Sequence, residues 1–270
     1  MFLPKFSLKK ILIASACSCL AVHTVIALPF ALFTPSAQAQ SRKVRYVPPK
    51  NLGTPVVSTP GILRSTGCSE SACFIALVPD LAADTAPVPQ TMSERPTFYF
   101  LIPETEGRGY FYLYESDSTL KKGKRVYRTS FNIRNKAGIL TFKMPDDAPS
   151  LKPNKNYLWE FSVGGLIDAG QVSGSIRRVL PNQKLVEQLK RASMPIERAA
   201  LFAQDGFWFE TVQTLAEAQQ GASKKTEVVS EWNALLKSSQ LDRVIPYPFL
   251  KSAVANMTNS EPNQPQKYGY

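Results

Sequence analysis

Histidine is almost absent from this sequence: His23 is the only one among 270 residues. It lies in an N-terminal stretch that has the pattern of a secretory signal, so the mature protein is expected to contain no histidine. Its absence excludes the Ser-His-Asp and Cys-His schemes of nucleophilic catalysis and any metal site that depends on imidazole ligands.

The glycine-rich motifs of nucleotide-binding and hydrolytic enzymes are also missing. The sequence contains no Gly-x-x-x-x-Gly-Lys-Ser/Thr loop, no Gly-x-Gly-x-x-Gly turn and no Gly-x-Ser-x-Gly elbow. These motifs hold phosphates or expose a nucleophilic serine, so their absence removes the usual support for such chemistry. The sequence therefore predicts no bound nucleotide or other cofactor, and it favours a protein that is not an enzyme.

The first 39 residues are expected to be a signal peptide. Three lysines precede an apolar run from Ile11 to about Phe33, and the run is followed by the small-residue site Ser36-Ala37-Gln38-Ala39. This order predicts cleavage near Ala39 and export to the periplasm or the extracellular space. The apolar run exceeds the usual ~7–15 residues. An uncleaved leader that anchors the protein in the membrane is the alternative.

Cysteine is scarce, and only Cys68 and Cys73 lie beyond the expected cleavage site. In an oxidising compartment two cysteines this close can form a disulfide that closes a small loop. A metal or redox pair is the alternative, but the spacing is not Cys-x-x-Cys and no further soft ligand is present.

Positive charge exceeds negative charge. The formal net charge is +11, and it falls to +8 when the leader is removed, because the leader contains three lysines and no acids. A basic exported protein is attracted to anionic lipids, polysaccharides, nucleic acids or acidic proteins. Lys121, Lys122, Lys124 and Arg125 form the densest basic run and are the candidate anion-binding residues. The alternative is a solvated hairpin tip whose charges prevent edge pairing.

Aromatic and apolar residues at period two predict an all-β core. Thr97–Ile102 and Tyr110–Glu115 are expected to pair as a β-hairpin around the polar loop Pro103–Gly109. Further alternating runs extend to Val179, and about seven strands joined by polar turns are typical of a two-sheet sandwich. Tyr157 follows a Leu-x-Pro turn, as does the corner tyrosine of immunoglobulin-like sandwiches, whose hydroxyl group bonds to upstream backbone.

After Pro181 the apolar residues recur at helical spacing, and four helices are predicted up to Ser238. Such helices must pack together to bury their apolar faces. The expected fold is α+β: an antiparallel immunoglobulin-like β-sandwich followed by a small bundle of C-terminal α-helices. The predicted boundaries are a signal peptide (1–39), a flexible linker (40–67), a β-sandwich (68–180), a helical section (181–250) and a disordered tail (251–270).

Two pairs of acidic residues are candidates for catalysis or metal binding. Glu104 and Glu106 lie in the expected hairpin loop, and Asp146 and Asp147 precede Pro149. Paired carboxylates can hydrolyse glycosides or bind Ca²⁺. Solvated turn residues are the alternative, and no metal site is predicted.

Short motifs in a fixed order resemble a known family. They include Ser93-Glu94-Arg95-Pro96-Thr97-Phe98, Tyr157-x-Trp159-x-Phe161 and Gly206-Phe207-Trp208-Phe209-Glu210. Their order resembles domain of unknown function 928, a family of secreted cyanobacterial proteins, over about Gly67 to Phe249. The resemblance implies export and a sandwich-plus-helices layout, and it implies no catalytic residues.

The sequence thus predicts an exported, non-catalytic protein that binds another cell-envelope component, either a protein or an anionic polymer. Two alternatives remain: a carboxylate-based glycan hydrolase, and a basic module that binds anionic polymers. Contact with the membrane is expected only through an uncleaved leader, and the sequence does not determine the oligomeric state.

Overall fold

In the residues that the structure describes, eight strands precede four α-helices, in the order that the change of apolar period near Pro181 predicts. The strands are β1 (Ile75–Ala76), β2 (Gln90–Thr91), β3 (Thr97–Ile102), β4 (Thr105–Ser116), β5 (Lys122–Asn135), β6 (Gly138–Lys143), β7 (Asn156–Gly164) and β8 (Gln171–Arg178). The helices are α1 (Gln183–Arg191), α2 (Pro195–Gln204), α3 (Trp208–Gln220) and α4 (Thr226–Ser238). The α+β class is confirmed.

The structure, a computed structural model, describes residues 43–49, 74–79, 87–117, 121–164, 171–221 and 226–250. All of these residues belong to one compact unit, Gln40–Tyr270. The expected leader, the predicted Cys68–Cys73 disulfide and the expected tail lie outside the described residues. No helix in the described ranges has the length and apolar composition needed to cross a membrane.

The strands form two sheets. The three-stranded sheet has the order β1-β3-β6, and the five-stranded sheet has the order β2-β8-β7-β4-β5. Neighbouring strands are antiparallel except β2 and β8, which run parallel. β2, only two residues long, lies at one edge of the five-stranded sheet.

The predicted hairpin between Thr97–Ile102 and Tyr110–Glu115 is wrong. β3 pairs with β6, from Thr97 opposite Lys143 to Ile102 opposite Gly138, whereas β4 pairs with β5 and β7. All six residues of β3 are buried, while the tyrosines of β4 are only half-buried. β3 is covered on both faces, whereas β4 has one outer face. The two strands therefore occupy different positions in the fold and do not pair with each other.

Aromatic side chains join the two sheets. The rings of Phe100 in β3 and Phe161 in β7 lie 4.3 Å apart, and those of Phe111 in β4 and Phe142 in β6 lie 4.4 Å apart. Trp159 is fully buried among these rings. Aromatic pairs at such distances add to the hydrophobic gain from burial, so this cluster is the centre of the core.

The first turn of α3 attaches the helices to both sheets. The Trp208 indole Nε1–H donates a 2.8 Å hydrogen bond to the Leu77 carbonyl, and the Phe209 ring lies 5.4 Å from that of Phe98. Glu210 Oε1 accepts hydrogen bonds from Thr91 Oγ1 at 2.6 Å and from the backbone N–H groups of Met92 and Ser93 at 2.9 and 3.1 Å.

Residues 43–49, inside the stretch expected to be a linker, lie against the helices. The Val44 N–H donates to Glu231 Oε2 at 2.8 Å, and the Val47 N–H donates to the Ala203 carbonyl at 2.9 Å. The Tyr46 ring meets Trp208 edge-on, with 4.9 Å between ring centroids. This segment therefore covers part of the helical section.

Tyr157 makes the hydrogen bond that its position after the Leu-x-Pro turn predicts. Its hydroxyl oxygen accepts from the Lys152 backbone N–H at 2.9 Å, five residues upstream. We expect Tyr157→Phe to lower the free energy of unfolding by about 1 kcal/mol, the net value of one such hydrogen bond. Urea denaturation measures this change. A midpoint equal to that of the unaltered protein would mean that the hydrogen bond contributes nothing to stability.

Glu210 is expected to make stability depend on pH. Burial raises the pKa of its carboxyl group, although its hydrogen bonds act in the opposite direction. Since the folded pKa exceeds the unfolded value of about 4.3, the stability that this group contributes is fully present below that value. It is lost as the pH rises through the folded pKa.

We expect Glu210→Gln to remove this loss, since a glutamine oxygen can accept the same three hydrogen bonds without becoming charged. Urea denaturation across the acidic-to-neutral range should show the variant gaining stability relative to the unaltered protein as the pH rises. Glu187→Gln, an exposed change on α1, is the matched control. A constant difference between the Glu210→Gln variant and the unaltered protein at every pH would contradict the expectation.

Candidate functional site

Polar and aromatic residues lie on the outer face of the five-stranded sheet. Along each strand they alternate with buried residues that belong to the core. In β4, Phe111 and Leu113 are fully buried, while the intervening Tyr110, Tyr112 and Tyr114 are half-buried. Strand register places the residues of β5 and β7 opposite these tyrosines on the same face.

We call this surface the tyrosine face. It comprises three tyrosines, six basic residues and two acids of β4, β5, β7 and β8: Tyr110, Tyr112, Tyr114, Arg108, Lys122, Arg125, Arg128, Arg134, Arg177, Glu106 and Glu160.

The tyrosine rings form a row along β4. The centroids of Tyr110 and Tyr112 lie 6.5 Å apart with 12° between ring planes, and those of Tyr112 and Tyr114 lie 6.4 Å apart at 25°. Period-two spacing on a strand produces this row, because residues i and i+2 point to the same side. β4 therefore carries a regular row of aromatic rings, each with a hydroxyl group.

Cations lie over two of the rings. The Arg128 guanidinium is 5.9 Å from the Tyr112 centroid, and Lys122 Nζ is 4.1 Å from that of Tyr114. Lys122 Nζ also lies 2.6 Å from Glu160 Oε1. Burial lowers the pKa of Lys122, but the Glu160 carboxylate raises it, and the net direction is upward. Burial and Glu160 raise the pKa of Tyr114, so its hydroxyl group remains protonated at neutral pH.

Four arginines of this face have no carboxylate partner among the residues described: Arg108, Arg125, Arg128 and Arg177. Arg108 Nε donates to the Ser130 hydroxyl at 3.0 Å. The Nε atoms of Arg125 and Arg177 are buried and have no hydrogen-bond partner within the described ranges. Guanidinium groups bind carboxylates, phosphates and sulfates through paired N–H groups, and the exposed side chains of Arg108 and Arg128 can present such donors to an anion.

The predicted basic run is only partly brought together. Lys122 lies beside the ring of Tyr114, and Arg125 is opposite Tyr114 in the strand register. Lys124 is close enough to Glu115 to lower the pKa of that carboxyl group, although the hydrogen bond from Lys155 is the larger cause. The exposed Lys121 precedes β5. The run therefore supplies two members of the tyrosine face.

The candidate acid pairs are on the surface. Glu104 forms an ion pair with Lys136, and Glu106 forms one with Arg134. Asp146 and Asp147 are exposed in a turn. The described residues contain no group of three or more cysteines, aspartates or glutamates placed to hold a metal ion. Neither acid pair has the buried, converging geometry that acid–base catalysis requires.

Most of the tyrosine face was not predicted from the sequence, because the aromatic run was assigned to the core and only Lys121, Lys122, Lys124 and Arg125 were candidate anion-binding residues. The signal for this face in the sequence was the stretch Arg108–Tyr114. There, three tyrosines alternate with the buried apolar residues Phe111 and Leu113. Arg128 comes from the next strand, β5, and Arg177 from β8, and strand pairing brings both to this face.

Fold and surface together define an α+β protein with two β-sheets, a C-terminal set of helices and a basic, tyrosine-rich outer sheet face. The chain belongs to the DUF928 family: the model for the Domain of Unknown Function (DUF928) matches residues 59–249. This match confirms the predicted family. A search among curated proteins finds no match.

Proposed function

We propose that the protein is an exported, non-catalytic binding protein whose tyrosine face binds an anionic polymer of the cell envelope. The observation that carries the proposal is the group of four arginines without described carboxylate partners, set beside a row of tyrosine hydroxyl groups. Guanidinium and hydroxyl donors that repeat along a strand match the repeating acidic groups of a polymer.

The finer fold that we propose is an immunoglobulin-like sandwich. Aromatic contacts between the two sheets support it, as does the Tyr157 hydroxyl that accepts from Lys152 N–H. In such a sandwich, packing against the inner face would keep the five-stranded sheet rigid. The outer face of that sheet would then present its hydrogen-bond donors in fixed register.

Export is part of this proposal, and the N-terminal pattern of lysines, apolar residues and Ala-x-Ala site supports it. In that compartment Cys68 and Cys73 would form a disulfide. The glycan hydrolase alternative is not favoured, since Glu104 and Glu106 pair with basic side chains on the surface.

Binding to polygalacturonate, compared with neutral dextran of similar length, tests the proposal. We expect binding to polygalacturonate only, with an affinity that falls as salt is added, because salt screens exposed charges. The double variant Arg108→Gln/Arg128→Gln should bind about tenfold more weakly, a loss of about 1.4 kcal/mol.

The matched control replaces two basic residues of the helices, Arg191 and Lys237, with glutamine. Both are exposed and lie outside the tyrosine face, and the net charge changes by the same amount. Equal losses in the two double variants would mean that net charge alone drives binding. Binding to dextran as tight as to polygalacturonate would also contradict the proposal.

A further inference from the structure

A groove lies where α2, α3 and the segment that follows β2 meet. Its volume is about 660 Å³, and Met92, Phe202 and Arg198 line it together with Glu210, Gln213 and Glu217 of α3. A volume of this order is typical of small-ligand sites. The groove shares no residue with the tyrosine face.

Glu210 holds a carboxylate at a fixed position in this groove. Its Oε1 accepts three hydrogen bonds from Thr91, Met92 and Ser93, at 2.6, 2.9 and 3.1 Å. Its Oε2 is buried and has no hydrogen-bond partner in the part of the chain that the structure describes. A buried acceptor without a donor destabilises the protein, and a ligand that donates to it would remove that destabilisation.

The face of α3 that lines the groove is rich in acceptors. Glu210, Gln213, Thr214 and Glu217 are spaced i, i+3, i+4 and i+7, which places them on one side of the helix. Gln213 Nε2 donates to Glu217 Oε1 at 2.7 Å, and Thr214 Oγ1 donates to the Glu210 carbonyl at 2.7 Å. The Thr214 hydroxyl proton and one of the two Gln213 amide N–H groups are thus engaged, and the oxygens of both side chains remain available to accept.

Charge in the groove points to a cation. Two carboxylates of α3, Glu210 and Glu217, face one guanidinium, and Arg198 Nη1 already donates to the Leu189 carbonyl at 3.0 Å. We infer that this groove binds a primary ammonium group, which supplies three donors and no acceptor, with Glu210 Oε2 as its principal partner. Because Oε2 is buried, binding requires a local movement of the groove wall.

Calorimetric titration with 1,5-diaminopentane, compared with 1,5-pentanediol, tests this inference. The two probes have the same chain length, and only the diamine carries ammonium groups. We expect the diamine to bind and the diol not to bind. Glu210→Gln should weaken diamine binding by about tenfold, and Glu217→Gln, an exposed change, by about threefold. Glu187→Gln on α1 is the control and should bind as the unaltered protein does.

The inference is overturned if the diamine does not bind, if the diol binds equally well, or if Glu210→Gln and Glu187→Gln bind the diamine equally. If Glu210→Gln does not fold, Glu217→Gln decides: an affinity unchanged by that substitution overturns the inference. Polygalacturonate binding measured on the same variants distinguishes the two proposals, because the groove variants should leave it unaltered.

Discussion

Replacing Trp208 with alanine should lower the free energy of unfolding by about 4 kcal/mol. The indole is fully buried, packs edge-on against Tyr46 and donates its N–H to the Leu77 carbonyl. The substitution creates a cavity and leaves that carbonyl without its donor, and the two effects add. Urea denaturation followed by circular dichroism measures the change.

Leu180→Ala is the control for this prediction, since Leu180 is 57% exposed. It should change stability by less than about 0.5 kcal/mol. Trp208→Phe should fall between the two variants, because it keeps most of the ring but loses the hydrogen bond. A Trp208→Ala variant as stable as Leu180→Ala would contradict the assignment of Trp208 as the link between helices and sheets.

Gly174→Ala should destabilise the protein by about 3 kcal/mol, through overpacking of the core. A Cβ atom at Gly174 would lie 2.4 Å from Cζ2 of Trp159. The Trp159 ring is fully buried, with the rings of Phe98 and Phe100 5.6 and 5.8 Å away, so it has little room to move. Thermal and urea denaturation of the variant provide the measurement.

Gly221→Ala is the matched control, because the nearest atom to its added Cβ would be 3.5 Å away. A double-mutant cycle with Trp159→Phe tests the cause. The smaller ring should restore part of the stability lost in Gly174→Ala, giving a coupling of about 1 kcal/mol or more. Additive effects of the two substitutions would show that the methyl group does not act through Trp159.

The sequence predicted the helices closely, because local signals determine where they begin and end. Pro195 begins α2 as a first-turn proline, and Gly221 caps the end of α3. The contact of Tyr157 with upstream backbone was also predictable, since its partner is only five residues away.

Strand partners were harder to predict than strand positions. β3 and β4 are separated by two residues, yet they lie in different sheets, while β3 pairs with β6 about 40 residues later. Alternation identifies a strand's two faces but not the elements that cover them. β2 is two residues long, too short to produce a period.

The candidate site depends on those long-range pairings. The tyrosines of β4 could be seen in the sequence, but Arg128 and Arg177 reach the same face only through the β4–β5 and β7–β8 pairings. Glu210 appeared as part of a family motif, and its contact with residues 91–93 depends on tertiary packing that no local pattern encodes.

Chemical-shift mapping during titration with polygalacturonate tests the proposed function most directly. We expect the largest backbone shifts in β4 and β5, around Tyr112 and Arg128, with shifts in β8 near Arg177 and none in α1 to α4. Added salt should reverse these shifts, because the interaction is electrostatic. Shifts confined to the helices, or a spectrum unchanged at saturating polymer, would contradict binding through the tyrosine face.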